Sequence, residues 1–311
     1  MPVDVSVIIV NYKTPELTAA AIRSVFEHTR GVSFDISVVD NQSEDGSVQV
    51  LHSEFGDNIT IIEAGGNIGF GRANNIAIEK TQSKYVFLLN SDTLLKTNAI
   101  KIFYDFIERT PRAGVCGGNL FDKEDRPTHS YGQIPKRRIS TIFPLWKRIK
   151  RVITRKDEGF NYSKKIKEVG YITGADMFVR REAIDKSGIF DPDYFMYGEE
   201  VELTYRIKKA GYDVYSVPSA EITHLVRAST GVAGECNENT TRLSVYGEFL
   251  FFEKAFGKES VYKRYKQMIR ANFYMNAMCL LLKSAFFKKK KIIYTEVFAE
   301  WKEKREKNYE K

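Results

Sequence analysis

Cysteine is scarce in this 311-residue chain: Cys116, Cys236 and Cys279 stand far apart and form no CxxC pair. That excludes a disulfide framework and a thiolate zinc site of ordinary spacing, so a reducing cytoplasm is the expected compartment. Histidine numbers only four, and none stands at metal-ligand spacing from a second. No apolar run reaches the roughly 18–20 residues that span a bilayer. Met1 leads almost directly into a strand-like pattern, so no signal peptide is expected. Acidic residues are sparse in two stretches. Residues 133–168 carry a positive surplus of about nine and residues 258–311 another of about nine. The whole chain is only +8, so the remainder is acidic. Two basic regions on an acidic body suit polyanions or an anionic membrane surface; solvated faces are the plainer reading.

What is present is an ordinary globular composition, 43% hydrophobic and rich in aromatics. The length fits one large domain or a domain with an appendage. Residues 5–10 read as a buried strand ending at Asn11, and Thr14-Pro15-Glu16 predicts a helix start with Thr14 as N-cap. Further strands are predicted at 36–39, 59–62, 85–89 and 114–117, with helices over 46–55, 71–81 and 97–109. This alternation predicts an α/β chain with a mostly parallel mixed sheet flanked by helices. Residues 122–168 break the pattern, being rich in Pro, Lys and Arg, with a short basic amphipathic helix expected from Pro144. Regularity returns at 169–180, then a helix over 200–210 and a strand at 214–217, and 240–311 reads as helical. The expected organisation is a domain over 1–235, with halves 1–120 and 169–235 around the basic insertion 122–168, and a basic helical region over 236–311.

In open α/β sheets ligands bind beyond the carboxyl ends of the strands. Asn11, Asp40, Asn41, Asn67 and Asp92 all fall just past predicted strand ends. Asp40 can accept the N3–H of uracil or thymine, while Ser43 and Asp45 can cap the following helix; a plain capped loop is the other reading. In Gly65–Asn75 the glycines let backbone approach a phosphate, and Arg72 adds charge at a helix start. The spacing there is neither a Walker loop nor a dinucleotide fingerprint. Asn90-Ser91-Asp92 closes the strand 85–89. One carboxylate there suits Mg²⁺ or Mn²⁺ shared with a phosphate, or is simply turn chemistry. Glu199 and Glu200 open a helix after Asp191, where an ionised carboxylate can act as a general base or merely complement the helix dipole. His224, after a strand, is a candidate ligand or a structural histidine.

In this order and with this alternation, these segments resemble the family-two inverting glycosyltransferases of the GT-A fold, nearest the bacterial rhamnosyltransferase-like branch. The likeness runs over roughly residues 5–230. It implies a nucleotide-sugar site of Asn11, Tyr12, Asp40, Asn41, Ser43, Asn67, Gly69, Phe70, Arg72, Asn74, Asn90, Ser91 and Asp92. It implies a metal, Mn²⁺ or Mg²⁺, on Asp92 and His224, and an acceptor side at Gly174, Ala175 and Asp176, followed by Arg180 and Arg181. Glu200 matches the catalytic base, with Glu199 or Asp191 orienting the acceptor. Two positions depart from the pattern. Asn90 replaces the first acid of Asp-x-Asp, which leaves Asp92 as the main carboxylate. Glu200 replaces an Asp and adds a methylene, a shift of about an ångström in the base that bears on rate.

The implied reaction moves a sugar from a dTDP- or UDP-linked donor, dTDP-rhamnose among them, to a hydroxyl of a glycan or lipid-diphosphate-linked glycan in bacterial cell-surface polysaccharide synthesis. Residues 136–156 and 277–291 mix cations with aromatics, so peripheral attachment to the inner face of an anionic plasma membrane is expected, weakened by salt. No nucleic-acid-binding motif is present. Two rival readings remain. A sugar nucleotidyltransferase would place a Gly-rich loop with Arg and Lys after the first strand, where this chain has Asn11-Tyr12-Lys13-Thr14-Pro15. A degenerate transferase fold acting as a membrane scaffold would also tolerate Asn90 and Glu200.

Overall fold

The computed structural model describes residues 3–137, 159–225, 237–278 and 284–307. They divide into two units: one spans 3–134, 159–195 and 199–225, the other 237–278 and 284–307 with the short pieces 135–137 and 196–198. The amphipathic helix expected from Pro144 and residues 226–236 and 279–283 lie outside the described residues.

The first unit is built on a central sheet. Its strands are β1 (Val5–Asn11), β2 (Phe34–Asp40), β3 (Thr60–Glu63), β4 (Tyr85–Asn90), β5 (Thr93–Leu95), β6 (Ala113–Phe121), β8 (Lys167–Glu168), β10 (Asp176–Arg180) and β11 (Asp213–His224). The path runs β3-β2-β1-β4-β10-β6-β11-β5, with β8 pairing β11, and β7 (Tyr131–Gly132) and β9 (Tyr171–Ile172) form a separate two-stranded ribbon. β1 through β4 are parallel, whereas β10 enters antiparallel between β4 and β6.

Alternation along the strands explains the layering. Val7, Ile9, Val38, Phe87 and Phe178 point to one face, where they pack with α1 (Pro15–His28), α2 (Ser47–Phe55) and α4 (Ala99–Glu108). Ile8, Val39, Val86, Leu88, Met177 and Val179 point to the other, against α3 (Phe70–Lys80), α5 (Arg181–Ser187) and α6 (Glu199–Lys209). Strands buried on both faces read as unbroken apolar runs, which is why 5–10 and 85–89 stood out in the sequence.

Two adjacent arginines fasten these layers. Arg180 donates from Nε to the Ala113 carbonyl at 2.9 Å and from Nη2 to Ile107 at 2.7 Å, beside the end of α4. Arg181 donates from Nη1 to the Ile78 carbonyl at 2.8 Å and from Nη2 to Thr81 Oγ1 at 2.8 Å, at the end of α3. Each guanidinium thus adds a charged donor to carbonyls at or next to a helix C-terminus.

Among the described residues the second unit contains three helices, α7 (Glu238–Phe256), α8 (Lys258–Met278) and α9 (Ser284–Lys307). Ile293, Val297 and Trp301 recur every fourth residue on α9 and are buried, as are Phe249 and Phe252 on α7 and Val261 on α8. Trp301 Nε1 donates to Glu253 Oε2 at 3.0 Å, Arg242 pairs with Glu296 at 2.6 Å, and Tyr265 stacks on Phe298 at 4.1 Å. Among the described residues no helix is long and apolar enough to cross a membrane.

Candidate active site

The ends of β1, β2 and β4 are tied together by side chains. Asn11 donates from Nδ2 to Asp40 Oδ1 at 2.8 Å and to Ser43 Oγ at 2.9 Å. Ser43 donates its amide to Asp40 Oδ2 at 3.0 Å and its hydroxyl to Oδ1 at 2.5 Å. Ser43 therefore serves Asp40 rather than capping α2. Asp45 takes part in that helix start by accepting the Ser47 amide at 3.0 Å, and the Ser47 hydroxyl holds its carboxyl below the usual range. Thr14 likewise makes no side-chain cap on α1; its hydroxyl meets Asn11 Oδ1 at 3.4 Å and Ser91 Oγ at 3.3 Å. The network thus joins Asn11, Asp40 and Ser43 to Asn90-Ser91-Asp92. Beside Asp40 lies a cavity of about 520 Å³, lined in part by Gln42, Ser43, Glu44, Glu63 and Gly65. Tyr12, 42% exposed, offers an aromatic face at the end of β1.

The glycine-rich segment is positioned by its neighbours. Asn41 donates to Asn67 Oδ1 at 3.0 Å and accepts the Ile68 amide at 3.0 Å, clamping the loop after β3 to the loop after β2. Gly69 has φ +89°, and a Cβ there would lie 2.2 Å from the Phe195 carbonyl oxygen. The Phe70 amide donates to that same carbonyl at 3.1 Å. Asn75 exchanges two bonds with the Phe190 backbone, at 2.8 and 2.9 Å. Arg72 donates from Nε to the Pro192 carbonyl at 2.6 Å, and buried Asn74 donates to the Phe70 carbonyl at 2.9 Å. Gly69, Arg72, Asn74 and Asn75 thus act on backbone, and the segment holds the loop 190–195 in place. Those contacts fasten the segment to the stretch that leads into α6.

Asp92 and His224 meet because β5 pairs antiparallel with the end of β11, setting Thr93 opposite His224. His224 Nε2 is 3.2 Å from Asp92 Oδ1, and the Leu225 amide donates to the Asp92 carbonyl at 2.8 Å. Neither the three-residue β5 nor the reach of β11 past Pro218 was expected from sequence. Adjacent ligands of an octahedral ion at about 2.1 Å stand about 3 Å apart, so this pair fits one edge of a Mn²⁺ or Mg²⁺ site. Such ions are held by few protein ligands, with waters and phosphate oxygens completing the shell. Among the described residues no group of three or more such ligands exists.

Gly174, Ala175 and Asp176, expected on the acceptor side, lie next to the end of β4. The Asn90 amide donates to the Ala175 carbonyl at 3.0 Å. A Cβ on Gly174 would lie 3.5 Å from the Phe70 ring and 4.0 Å from Glu200 Cβ. Asp176 is turned elsewhere: fully buried, it accepts the Gly118 amide at 2.6 Å, its other oxygen lacks a partner, and burial pushes its carboxyl well up. An acceptor does not reach it, so its part is internal. Glu199 and Glu200 begin α6. Glu199 is 5% exposed, with Oε2 unpartnered; burial, then the charge of Glu200, push it up to about 8. Asp191 shapes the preceding loop by accepting the Asp193 amide at 2.9 Å. Arg206 fixes that loop from below. It is bidentate to Glu202 at 2.8 and 2.7 Å and donates to the Ile189 carbonyl at 2.8 Å.

Comparisons with known proteins bear on the family and the fold. Residues 6–188 match the model of the family described as Glycosyl transferase family 2. Over 211 residues the chain is 31% identical to N-acetylglucosaminyl-diphospho-decaprenol L-rhamnosyltransferase of Mycobacterium tuberculosis, covering 63% of this chain and 68% of that protein. It is 29% identical over 177 residues to rhamnosyltransferase WbbL of Escherichia coli, covering 52% and 62% respectively. The mannosyltransferase PcManGT from Pyrobaculum calidifontis, solved with GDP-Man and Mn²⁺, aligns at TM-score 0.57 and 14% identity over 96% of this chain and 86% of that one. GalNAc-T7, solved with UDP, GalNAc and Mn²⁺, aligns at TM-score 0.56 and 15% identity, covering 87% of this chain and 55% of that one. At such identities the two structures share the fold and no more.

Proposed function

Because this chain belongs to glycosyl transferase family 2 and is a glycosyltransferase, we propose that it transfers a sugar, with inversion, from a dTDP- or UDP-linked donor to a hydroxyl of a lipid-diphosphate-linked glycan at an anionic membrane surface. dTDP-rhamnose is the first donor to test, since the most similar relatives given above are rhamnosyltransferases. The observation that carries the reading is the continuity of the site. Hydrogen bonds run from Asp40 through Asn11 and Thr14 to Ser91, next to Asp92, and from Asn90 to Ala175, whose neighbour Gly174 faces the side on which Glu200 lies.

Each residue then has a task. Asp40 Oδ2 accepts one bond within the protein and keeps a lone pair for the N3–H of the base. Tyr12 stacks on that base, and Asn11 sets the Asp40 carboxylate. Asp92 and His224 would hold a divalent ion, which when bound would supply positive charge to offset that of the leaving diphosphate. Glu200 removes the proton from the acceptor hydroxyl. That oxygen bonds to the anomeric carbon from the face opposite the diphosphate, whose bond to the carbon breaks. Burial beside Glu200 favours the protonated form of Glu199.

A panel of dTDP- and UDP-sugars with Mn²⁺, followed by donor hydrolysis and thermal shift, tests the reading. Glu200→Gln is expected to lower transfer by about 10²- to 10⁴-fold while donor binding persists. Near-normal transfer by a folded Glu200→Gln protein would remove Glu200 from the mechanism. No response to any donor would overturn the whole proposal.

A further inference from the structure

We propose that the end of the helical unit where α8 finishes and α9 begins is a docking surface for an anionic lipid bilayer, entered by Phe273 and Tyr274. It rests on the membrane partner proposed above and names the surface that meets it. The register of the hairpin places the residues. Tyr265 Oη lies 3.3 Å from Thr295 Oγ1, and Tyr262 packs on Phe298 at 5.2 Å, so α8 and α9 are antiparallel and level at those positions. From there Phe273 and Tyr274 are eight and nine residues further along α8, about 12–14 Å at 1.5 Å per residue. Lys288 is seven residues back along α9, about 10 Å. The three therefore stand at the same end, which the α7 start shares through a Lys289–Glu238 pair at 3.5 Å.

That end is unusual in two respects. Phe273 is 68% exposed, the most exposed large apolar side chain among the described residues, and Tyr274 and Ile292 are each 57% exposed. Helices that bury Trp301, Val297 and Ile293 elsewhere have left these three in water. Residues 270–274 and 288–292 also hold five cations, Arg270 and Lys288 to Lys291, and no acid. Arg270, Lys288, Lys289 and Lys291 are exposed.

Charge decides between occupants. A second copy docked symmetrically on this end would set one lysine cluster against another, and like charges repel. A single-stranded nucleic acid could stack on the aromatics but has no use for an exposed isoleucine. An anionic bilayer satisfies both features: headgroups meet the lysines, while aromatic and aliphatic side chains enter the acyl boundary. Since no described helix is long and apolar enough to span, the contact is interfacial.

The full chain with vesicles of phosphatidylcholine alone, or with 30% phosphatidylglycerol, provides the test by co-sedimentation. Binding is expected on the anionic vesicles only. Phe273→Ser with Tyr274→Ser is expected to weaken it at least tenfold, and each of Lys288→Ser and Lys291→Ser about fivefold. Metal-dependent donor hydrolysis should be unchanged in all of them. Phe273→Trp should show a blue-shifted emission quenched by brominated acyl chains. If the wild-type chain binds and the aromatic double variant binds equally well, this surface is wrong and the membrane reading stands. If the wild-type chain does not bind, the membrane reading itself fails. A dimer in sedimentation velocity that the double variant dissolves, or competition by oligonucleotide with no quenching by brominated chains, would assign the surface to those partners instead.

Discussion

Glu199 and Glu200 are neighbours on one helix, yet only Glu199 is nine-tenths buried with an oxygen left unpartnered. Like charges so close do not both ionise freely, and the buried member takes the proton. Burial, and then the charge of Glu200, push Glu199 up to about 8, against an ordinary value of 4.5. Between these values the unfolded chain has lost its proton while the folded chain keeps it. Stability therefore falls as pH rises from 4.5 toward 8, and this loss is complete above 8. Glu199→Gln removes the slope. Urea unfolding should show a small change at pH 5 and a gain on the order of 1–3 kcal/mol at pH 8. An equal difference at both pH values would mean that Glu199 is not protonated in the fold. Asp92 raises a separate residue-scale prediction. With Asn90 beside it in place of an acid, Asp92→Ala should cost about 10²-fold in metal-dependent donor turnover, checked by titrating Mn²⁺.

At the scale of elements, the loop 188–195 and α6 are held from two sides, by Gly69 and Asn75 above and by Arg206 below. Gly69→Ala meets the Phe195 carbonyl at 2.2 Å and a φ of +89°, so a loss of about 2 kcal/mol or more is expected, with transfer reduced alongside it. Arg206→Ala leaves the nearly buried Glu202 carboxylate uncompensated and should cost about 3–5 kcal/mol by chemical denaturation. These fasteners also mark where sequence reading stops. The alternating strands and helices were legible because burial on both faces leaves apolar runs, and Ala21 and Val25, four apart, are buried on α1. Asp40, Asp92 and Glu200 were legible because each follows a strand or opens a helix. The need for glycine at 69 was not, because its partner Phe195 is 126 residues away. The Asp92–His224 meeting depends on a three-residue strand and a strand that runs through Pro218. Arg180 and Arg181 matched an acceptor segment in sequence, yet their contacts are with helix ends. Distance along the chain, not chemistry, hid each of these.

For the whole molecule, binding is a stability statement. A donor at 100 times its dissociation constant should add about 2.7 kcal/mol, read as a rise of about 5 °C in the unfolding midpoint. In Asp92→Ala the part of that rise that needs Mn²⁺ should vanish. The β4–β10 ladder carries a different consequence. Leu89 stands opposite Asp176, and the Asn90 amide bonds to the Ala175 carbonyl at 3.0 Å. The proposed donor corner and acceptor segment are therefore adjacent rungs of one rigid sheet, with no hinge between them. A relative can exchange the loops that choose its acceptor while the reacting atoms keep their spacing. That makes such a chain a frame on which new linkages arise by loop replacement, in evolution or in engineering, without rebuilding the chemistry.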